Sequence, residues 1–431
     1  MIILILSALI FLYLFDLFYW KRRNLPPGPL PLPLVGNLHL FNEHTKPGYK
    51  LWEQLRHQYG PVYTFWMAKL PMVAVTDWKL IKQHFIKDGG NFVGRPEFPI
   101  NMEIRKGAYG IVESHGDRWV QQRRFALHVL RDFGLGKNLM EEKVLNEVTA
   151  MIERLKGTSE DGVDMQSVFD ASVGSIINNL MFGYRFDETN MHEFLLLKDR
   201  MNKHFSLAAE PIGALVGMYP WLGHFPIFKG YKKVITDNWH SLLKMFRGQA
   251  EEKLKTIDYE SDEYSDYVEA FLKERKKHEM EEDFGGFEME QLDSESQRLA
   301  NLLPMNLSRT TTADVEIAGY RIPKDTVITP QISSVLYDPE IFPEPYEFRP
   351  ERFLELDGNL KKVEELVPFS IGKRQCPGEG LARMELFLFF ATLFNKFNID
   401  FHSENPNPST KKDVGITMKA KNYRVVVKER F

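Results

Sequence analysis

Residues 369–378 read FSIGKRQCPG and hold Cys376, the single cysteine of a 431-residue chain. One cysteine excludes an internal disulfide, a Cys-x-x-Cys redox pair and a multi-cysteine zinc or iron–sulfur centre. A lone cysteine is ordinarily a small buried hydrophobe. The neighbours of this one argue otherwise. Gly372 and Gly378 permit tight turns on either side of the sulfur, and Pro377 suits the first turn of a following helix. The apolar run over about Gly378–Phe397 predicts that helix. Its first amides and dipole would stabilise a thiolate. Arg374 supplies a fork for a carboxylate, and Phe369 an aromatic cover. Two chemistries fit such a sulfur. One is axial ligation of haem iron. The other is nucleophilic catalysis, which wants a histidine partner, and none lies nearby in sequence.

Outward from this loop, the composition is that of a folded protein, with 43% apolar and 26% charged residues. Lys plus Arg number 55 against 59 Asp plus Glu, a net charge of −4 that gives no pull toward nucleic acid. Helical periodicity runs over 117–130, 138–156, 164–182, 192–209 and 231–256, and strand-like alternation over 60–76 with a turn at Lys69–Pro71. Residues 314–335 read as strands around turns at Ala318–Gly319 and Pro323–Asp325. Gly213–Pro226 is an apolar loop, either buried or turned toward a membrane or a pocket. The charge run 272–283, LKERKKHEMEED, reads as a solvated helix face. PEIFPEPYEFRPERF, 339–353, is too proline-rich for helix or central strand. The expectation is a mainly α body with a minor β region.

Residues 1–20, MIILILSALIFLYLFDLFYW, match one membrane-spanning helix. Lys21, Arg22 and Arg23 follow at once, with Phe18, Tyr19 and Trp20 as an interfacial belt, so the body is expected on the cytosolic side. The length of the run, the absence of a basic leader and of a small-x-small site argue against a cleaved signal peptide. Residues 21–37, basic and then proline-rich (PPGPLPLPLVGN), read as a stiff linker, and 38–431 as the body. Neither His-Glu-x-x-His nor G-x-S-x-G occurs, which disfavours a zincin or a serine-hydrolase elbow. Asn306-Leu-Ser fits a glycosylation acceptor that a cytosolic body would leave unused.

FSIGKRQCPG resembles the haem-binding loop of the cytochrome P-450 monooxygenases, F-x-x-G-x-R-x-C-x-G, at Phe369, Gly372, Arg374, Cys376 and Gly378. Further matches follow the family's pattern. Trp119-Val-Gln-Gln-Arg123 resembles its W-x-x-x-R helix, Glu295-Ser-Gln-Arg298 its E-x-x-R helix and Pro350-Glu-Arg352-Phe353 its P-x-R-F element. The anchor and proline linker resemble the microsomal branch. The resemblance implies a P-450 fold binding haem b, iron protoporphyrin IX, with Cys376 as axial ligand. It implies Trp119, Arg123 and Arg374 on the propionates, and Glu295, Arg298 and Arg352 as structural support. It further implies insertion of one atom of dioxygen into an apolar organic substrate (xenobiotic, fatty acid or steroid-like). Electrons would come from NADPH through a flavoprotein reductase, at the endoplasmic reticulum membrane. Tyr337 stands where many relatives carry a histidine toward a propionate.

One departure is large. The family's long central helix, with a small-Gly-x-acid-Thr pattern beside the oxygen, has no counterpart. Only Asp293 and Ser294 separate Leu292 from Glu295, with both flanks of the helix intact. The fold is therefore expected to be incomplete. Two alternatives stand beside an active monooxygenase: a catalytically impaired splice variant or incomplete gene model of such an enzyme, and a membrane-tethered interaction protein without haem.

Overall fold

The structure is a computed structural model that describes residues 1–42, 49–134, 138–156, 162–187, 189–261, 263–280, 306–347, 350–353, 363–404, 406–409, 412–413 and 419–430. Leu292, Glu295, Arg298 and the junction between them lie outside the described residues.

The architecture is mainly helical with small sheets. Ile2–Trp20 is one apolar helix of a length that can cross a bilayer, with 6% of its most apolar window buried. Asp16 lies near its end and pairs with Lys21 at 2.7 Å, so its charge is neutralised where the span meets the cationic stretch. The linker is clasped to the body. Thr64 donates its backbone N–H to Pro27 O at 2.8 Å and its hydroxyl to Pro26 O at 2.8 Å. Asn37, fully buried, donates its side-chain amide to Leu30 O at 2.9 Å and accepts from Trp66 N–H at 2.9 Å.

The hairpin Val62–Met67 and Leu70–Val75 forms as the alternation predicts. Its second strand pairs in parallel with Val327–Pro330, with Val73 opposite Ile328, and that strand pairs with Arg309–Thr310. Two of the expected strands form a second hairpin, Val315–Ile317 and Tyr320–Ile322. Residues 332–336 differ from the strand reading: they form a short helix after Pro330 ends the ladder.

The helices Gly116–Asp132, Asn138–Lys156, Met165–Phe182 and Met191–Ala209 lie within two residues of their expected bounds. The next begins earlier, at Pro226, because that proline takes a first-turn position. Gly213–Pro226 is not a loop throughout. Pro211–Met218 is a helix started by Pro211, and its Val216 and Met218 are buried while Trp221 and Phe225 beyond it are exposed. Residues 272–280 of the charge run fall in the helix Tyr267–Met280, whose early residues Val268, Phe271 and Leu272 are buried, and 281–283 lie outside the described residues.

One core cluster joins the helices 116–132, 138–156, 165–182, 267–280 and 379–396. A second joins the four-stranded sheet to Phe85, Phe92 and Ile371. The cysteine loop runs along the seam: Ile371 belongs to the sheet cluster and Leu381 to the helical one.

Candidate functional site

The loop turns twice before it reaches the sulfur. Ser370 and Gly372 both take left-handed backbone, φ 65° and 64°. A Cβ on Gly372 would lie 1.9 Å from the carbonyl oxygen of Phe85, so that residue has to be glycine on both counts. The 3-10 turn Gly372–Arg374 follows, closed by Gln375 N–H donating to Gly372 O at 2.9 Å. Cys376 N–H then donates to Phe369 O at 2.9 Å, which locks the loop across its base. The thiol is exposed.

The helix after the sulfur spans Glu379–Lys396 with Gly378 as N-cap. Pro377 therefore precedes the cap instead of opening the first turn. Gly378 sits at φ −92°, which any residue can adopt. A Cβ there would meet the Cys376 sulfur at 3.9 Å, an ordinary contact, so neither backbone nor space demands glycine at this position.

Arg374 is buried and points inward from the 3-10 turn. Its Nε donates to Val93 O at 2.8 Å, Nη1 to Ile111 O at 3.0 Å and Nη2 to Ser114 O at 2.8 Å. Trp119 forms the floor, its ring centre 3.9 Å from the guanidinium carbon. Arg123, one turn along the same helix, lies 5.9 Å from that ring and donates to Gln375 O at 2.8 Å. Trp119, Arg123, Arg374 and Cys376 are thus brought to one place, as the spacing of Trp119 and Arg123 predicts. Arg374 differs from the expected carboxylate fork in one respect, because most of its N–H groups are already spent on backbone carbonyls. Phe369 lies under Arg383, 5.3 Å from ring to guanidinium.

Two further arginines converge here that sequence reasoning does not single out. Gly94 and Thr310 form an isolated antiparallel bridge, and this sets the next residue of one chain segment, Arg95, near the preceding residue of the other, Arg309. Arg95 donates to Val112 O at 2.8 Å and to Leu307 O at 3.2 Å. Arg309 donates to Ile371 O at 2.7 Å and to the Ser370 hydroxyl at 3.1 Å. Their separation in sequence hides the pairing. The available signal is weak: each is a cation with no acid at helical spacing, Arg95 in an apolar stretch and Arg309 before a run of threonines.

Burial, followed by the like charges of Arg95, Arg309 and Arg123, pushes the Arg374 guanidinium down to about 8. The same two causes push Arg309 down to about 9. Arg95 is pushed to about 10 by burial, with Glu113 opposing. A guanidinium stays charged near neutrality, so these shifts reflect first the cost of burying the charges and then their mutual repulsion, and a bound anion would offset both. Donors for that anion are present. Trp119 Nε1 and Arg309 Nη1 are buried and have no hydrogen-bond partner among the described residues, a costly state unless a ligand fills it. The arrangement can hold a dicarboxylate edge beside an exposed thiol.

Arg352 is remote from this cluster in role. It donates to the carbonyls of Pro343 (2.6 Å), Glu344 (3.1 Å) and Glu347 (3.2 Å), and so ties the proline-rich stretch to itself. Tyr337 stacks on Tyr346, centroids 5.0 Å apart. Asn306, the acceptor of the glycosylation pattern, donates its side-chain amide to Pro330 O at 2.8 Å.

A family model described as Cytochrome P450 matches the chain in two stretches, 26–294 and 289–427. Cytochrome P450 2M1 of Oncorhynchus mykiss is 31% identical over 442 aligned residues, covering 88% of this chain and 86% of that protein. Cytochrome P450 2B2 of Rattus norvegicus is 30% identical over 474, covering 95% of each. Cytochrome P450 2C8 of Homo sapiens is 30% identical over 475, again covering 95% of each.

Proposed function

The chain belongs to the cytochrome P450 family of haem monooxygenases, and from that premise we propose that Cys376 is the axial thiolate of a haem held against the arginine cluster. The cluster carries this reading. Four guanidiniums gather around the cysteine loop, and the donors Trp119 Nε1 and Arg309 Nη1 are left unfilled among the described residues. Two propionates match that need in charge and number. In this reading Arg309, Arg123 and Trp119 face the propionates. Arg374 braces the segments 93 and 111–114 that surround them and lends its remaining N–H. Phe369 and Gly372 keep the backbone close and the sulfur uncovered. Arg352 supports the proline-rich stretch through the carbonyls of Pro343, Glu344 and Glu347, and a supporting role for Glu295 and Arg298 rests on the family pattern alone.

The bound haem supplies the redox chemistry that inserts one oxygen atom of dioxygen into the substrate and reduces the other to water. The chain's own residues position the sulfur, neutralise the propionates and exclude water from the buried side of the guanidiniums. The substrate is taken as an apolar organic molecule of xenobiotic or steroid type. Electrons come from NADPH through a flavoprotein reductase. We take residues 1–20 as an anchor in the endoplasmic reticulum membrane and the body as cytosolic, a reading that Lys21–Arg23 support.

The test is a reduced carbon-monoxide difference spectrum of the purified full chain. Wild type should give the thiolate-type band and Cys376→Ala should lose it. An unchanged band in Cys376→Ala would remove this residue as ligand, and colourless protein after haem reconstitution would remove the haem reading.

A second reading concerns turnover, and specific observations favour it. The two family-model stretches meet at 289–294, where Leu292 and Glu295 are separated by two residues. The alignment to the rat protein takes in 95% of 431 residues, about 409, yet runs over 474 positions, so about 65 have no residue here. A helix of 20 residues reaches ~30 Å, and two residues cannot replace it. We take the chain to bind haem through an intact loop while its distal wall is missing, so that it turns over little substrate. Comparing the transcript with the genomic interval between the codons for Leu292 and Glu295 separates a splice variant from an incomplete gene model.

A further inference from the structure

A cavity of about 590 Å³ opens between the helix Pro99–Arg105 with its cap Lys106 and the middle of the long helix Pro226–Thr256. On the long helix two rows face it. His240, Lys244 and Gly248 recur every fourth residue, and so do Leu243, Arg247 and Glu251. Such rows share one helix face. Ile104, Arg105 and Lys106 close the opposite side.

The lining has four permanent cations, Arg105, Lys106, Lys244 and Arg247, against one carboxylate, Glu251. Arg105 is held in place. Its Nη1 donates to Glu113 Oε2 at 2.5 Å, and its guanidinium lies 5.6 Å from the Trp239 ring. Glu113 therefore offsets part of its charge from behind. Where the same two helices touch directly, the charges pair across: Lys232 meets Glu103 at 2.6 Å. At the cavity no such pairing is met for Lys106 or Lys244 among the described residues. Gly248 deepens the space, since a Cβ there would find no atom within 4 Å. Ile104 and Leu243 give the cavity an apolar edge, and Ile104 continues into the cluster of Ile100, Val216 and Ile235.

We propose that this cavity binds an organic anion, a carboxylate or sulfonate on a compact apolar body. The cations would take the acid group and Ile104 and Leu243 the body. Concave cationic surfaces with apolar walls concentrate anions, and the long, exposed Lys106 and Lys244 side chains can turn their ammonium groups onto the acid. The cavity is separate from the cluster beside Cys376. The segment 110–114 stands between them, giving Ile111 O and Ser114 O to Arg374 and the Glu113 carboxylate to Arg105.

The test uses the full chain in non-ionic detergent and two fluorescent probes, 2-naphthoate and the neutral 2-naphthylmethanol, followed by anisotropy. Naphthoate should bind at least ~10-fold more tightly than the alcohol and weaken as salt is added. Lys106→Glu and Lys244→Glu, both at exposed positions, should each weaken naphthoate about fivefold or more. Gly248→Leu fills the open space at a position where leucine favours the helix, so it should abolish binding without loss of fold. Cys376→Ala should leave naphthoate affinity unchanged, which separates this site from the haem reading. Equal binding of the two probes, no binding by wild type, or full affinity in both charge reversals would overturn the proposal. So would full affinity in Gly248→Leu.

Discussion

The helix Glu379–Lys396 has two apolar faces with opposite fates. Leu381, Phe389 and Leu393 are each under 9% exposed and pack into the main helical core, with Glu385 buried in the same row four residues apart. Leu386, Phe390 and Phe394, also four apart, are 53%, 44% and 51% exposed, and Phe387 beside them 70%. A helix apolar on all sides is written for burial on all sides. One face has its partners and the other is half-exposed, with Phe390 against Phe169, on the element that follows the cysteine loop. Tight local packing at the loop therefore does not carry over to the far face of the helix it starts.

The strongest way to break this contrast is to supply the segment that we propose the chain lacks. Inserting the corresponding residues of a relative between Leu292 and Glu295 should cover the exposed face. Burying large side chains gives ~1.5–3 kcal/mol each, against ~5–15 kcal/mol for a whole domain. The thermal midpoint should rise and product formed per NADPH, with reductase present, should rise sharply relative to peroxide. Equal coupled turnover by the two chains would show that the gap is tolerated.

Next in size is a pair of truncations on the two faces. Phe389→Ala should cost ~3–5 kcal/mol, the usual toll for a buried phenylalanine. Phe387→Ala, two residues away, should stay within ~0.5 kcal/mol in this chain and become costly once the segment is restored. Denaturant titration measures both, and similar costs for the pair in this chain would show that the exposed face is covered in solution.

The loop offers a third test. Gly372→Ala forces a Cβ against the Phe85 carbonyl and keeps φ at 64°. A loss of at least ~1–3 kcal/mol is expected, with poorer haem retention read by absorbance after gel filtration. Unchanged stability would mean the loop can open away from Phe85 and is not held as drawn.

The smallest effect is in pH. Burial raises the Glu385 carboxyl from 4.5 to about 8, and Oε1 has no partner among the described residues. A folded value above the unfolded one means the folded state holds the proton more tightly. That contribution is complete below 4.5 and is lost as pH rises through about 8. Stability should therefore fall across this window in wild type and fall less in Glu385→Gln. Parallel pH profiles would show that Glu385 is hydrated in solution.

What the sequence reveals follows the range of the interactions. The cysteine loop is legible because its glycines, arginine and sulfur are neighbours and their roles are local. Trp119 and Arg123 are legible because one helical turn joins them. The helix bounds follow from periodicity, and the late start at 231 instead of Pro226 shows apolar loop residues masking a proline cap. Arg95 and Arg309 were not legible, since only the bridge of Gly94 to Thr310 brings them together. Pro330 ended a strand that alternation alone extends through 335, because backbone donors, and not hydrophobicity, limit a ladder.

The clasp of the proline linker has a consequence for traffic at the bilayer. Thr64 and Asn37 fasten residues 26–37 along the hairpin, so little slack separates the apolar helix from the body. A tether of this kind fixes the aspect of the body as well as its height. Rotational search is then largely settled in advance, and an encounter with a partner in the same bilayer becomes a matter of lateral diffusion in a plane. A docking face under those terms can be weak per contact and still be found quickly. Replacing residues 26–33 by a glycine–serine run of equal length would restore tumbling while leaving attachment intact.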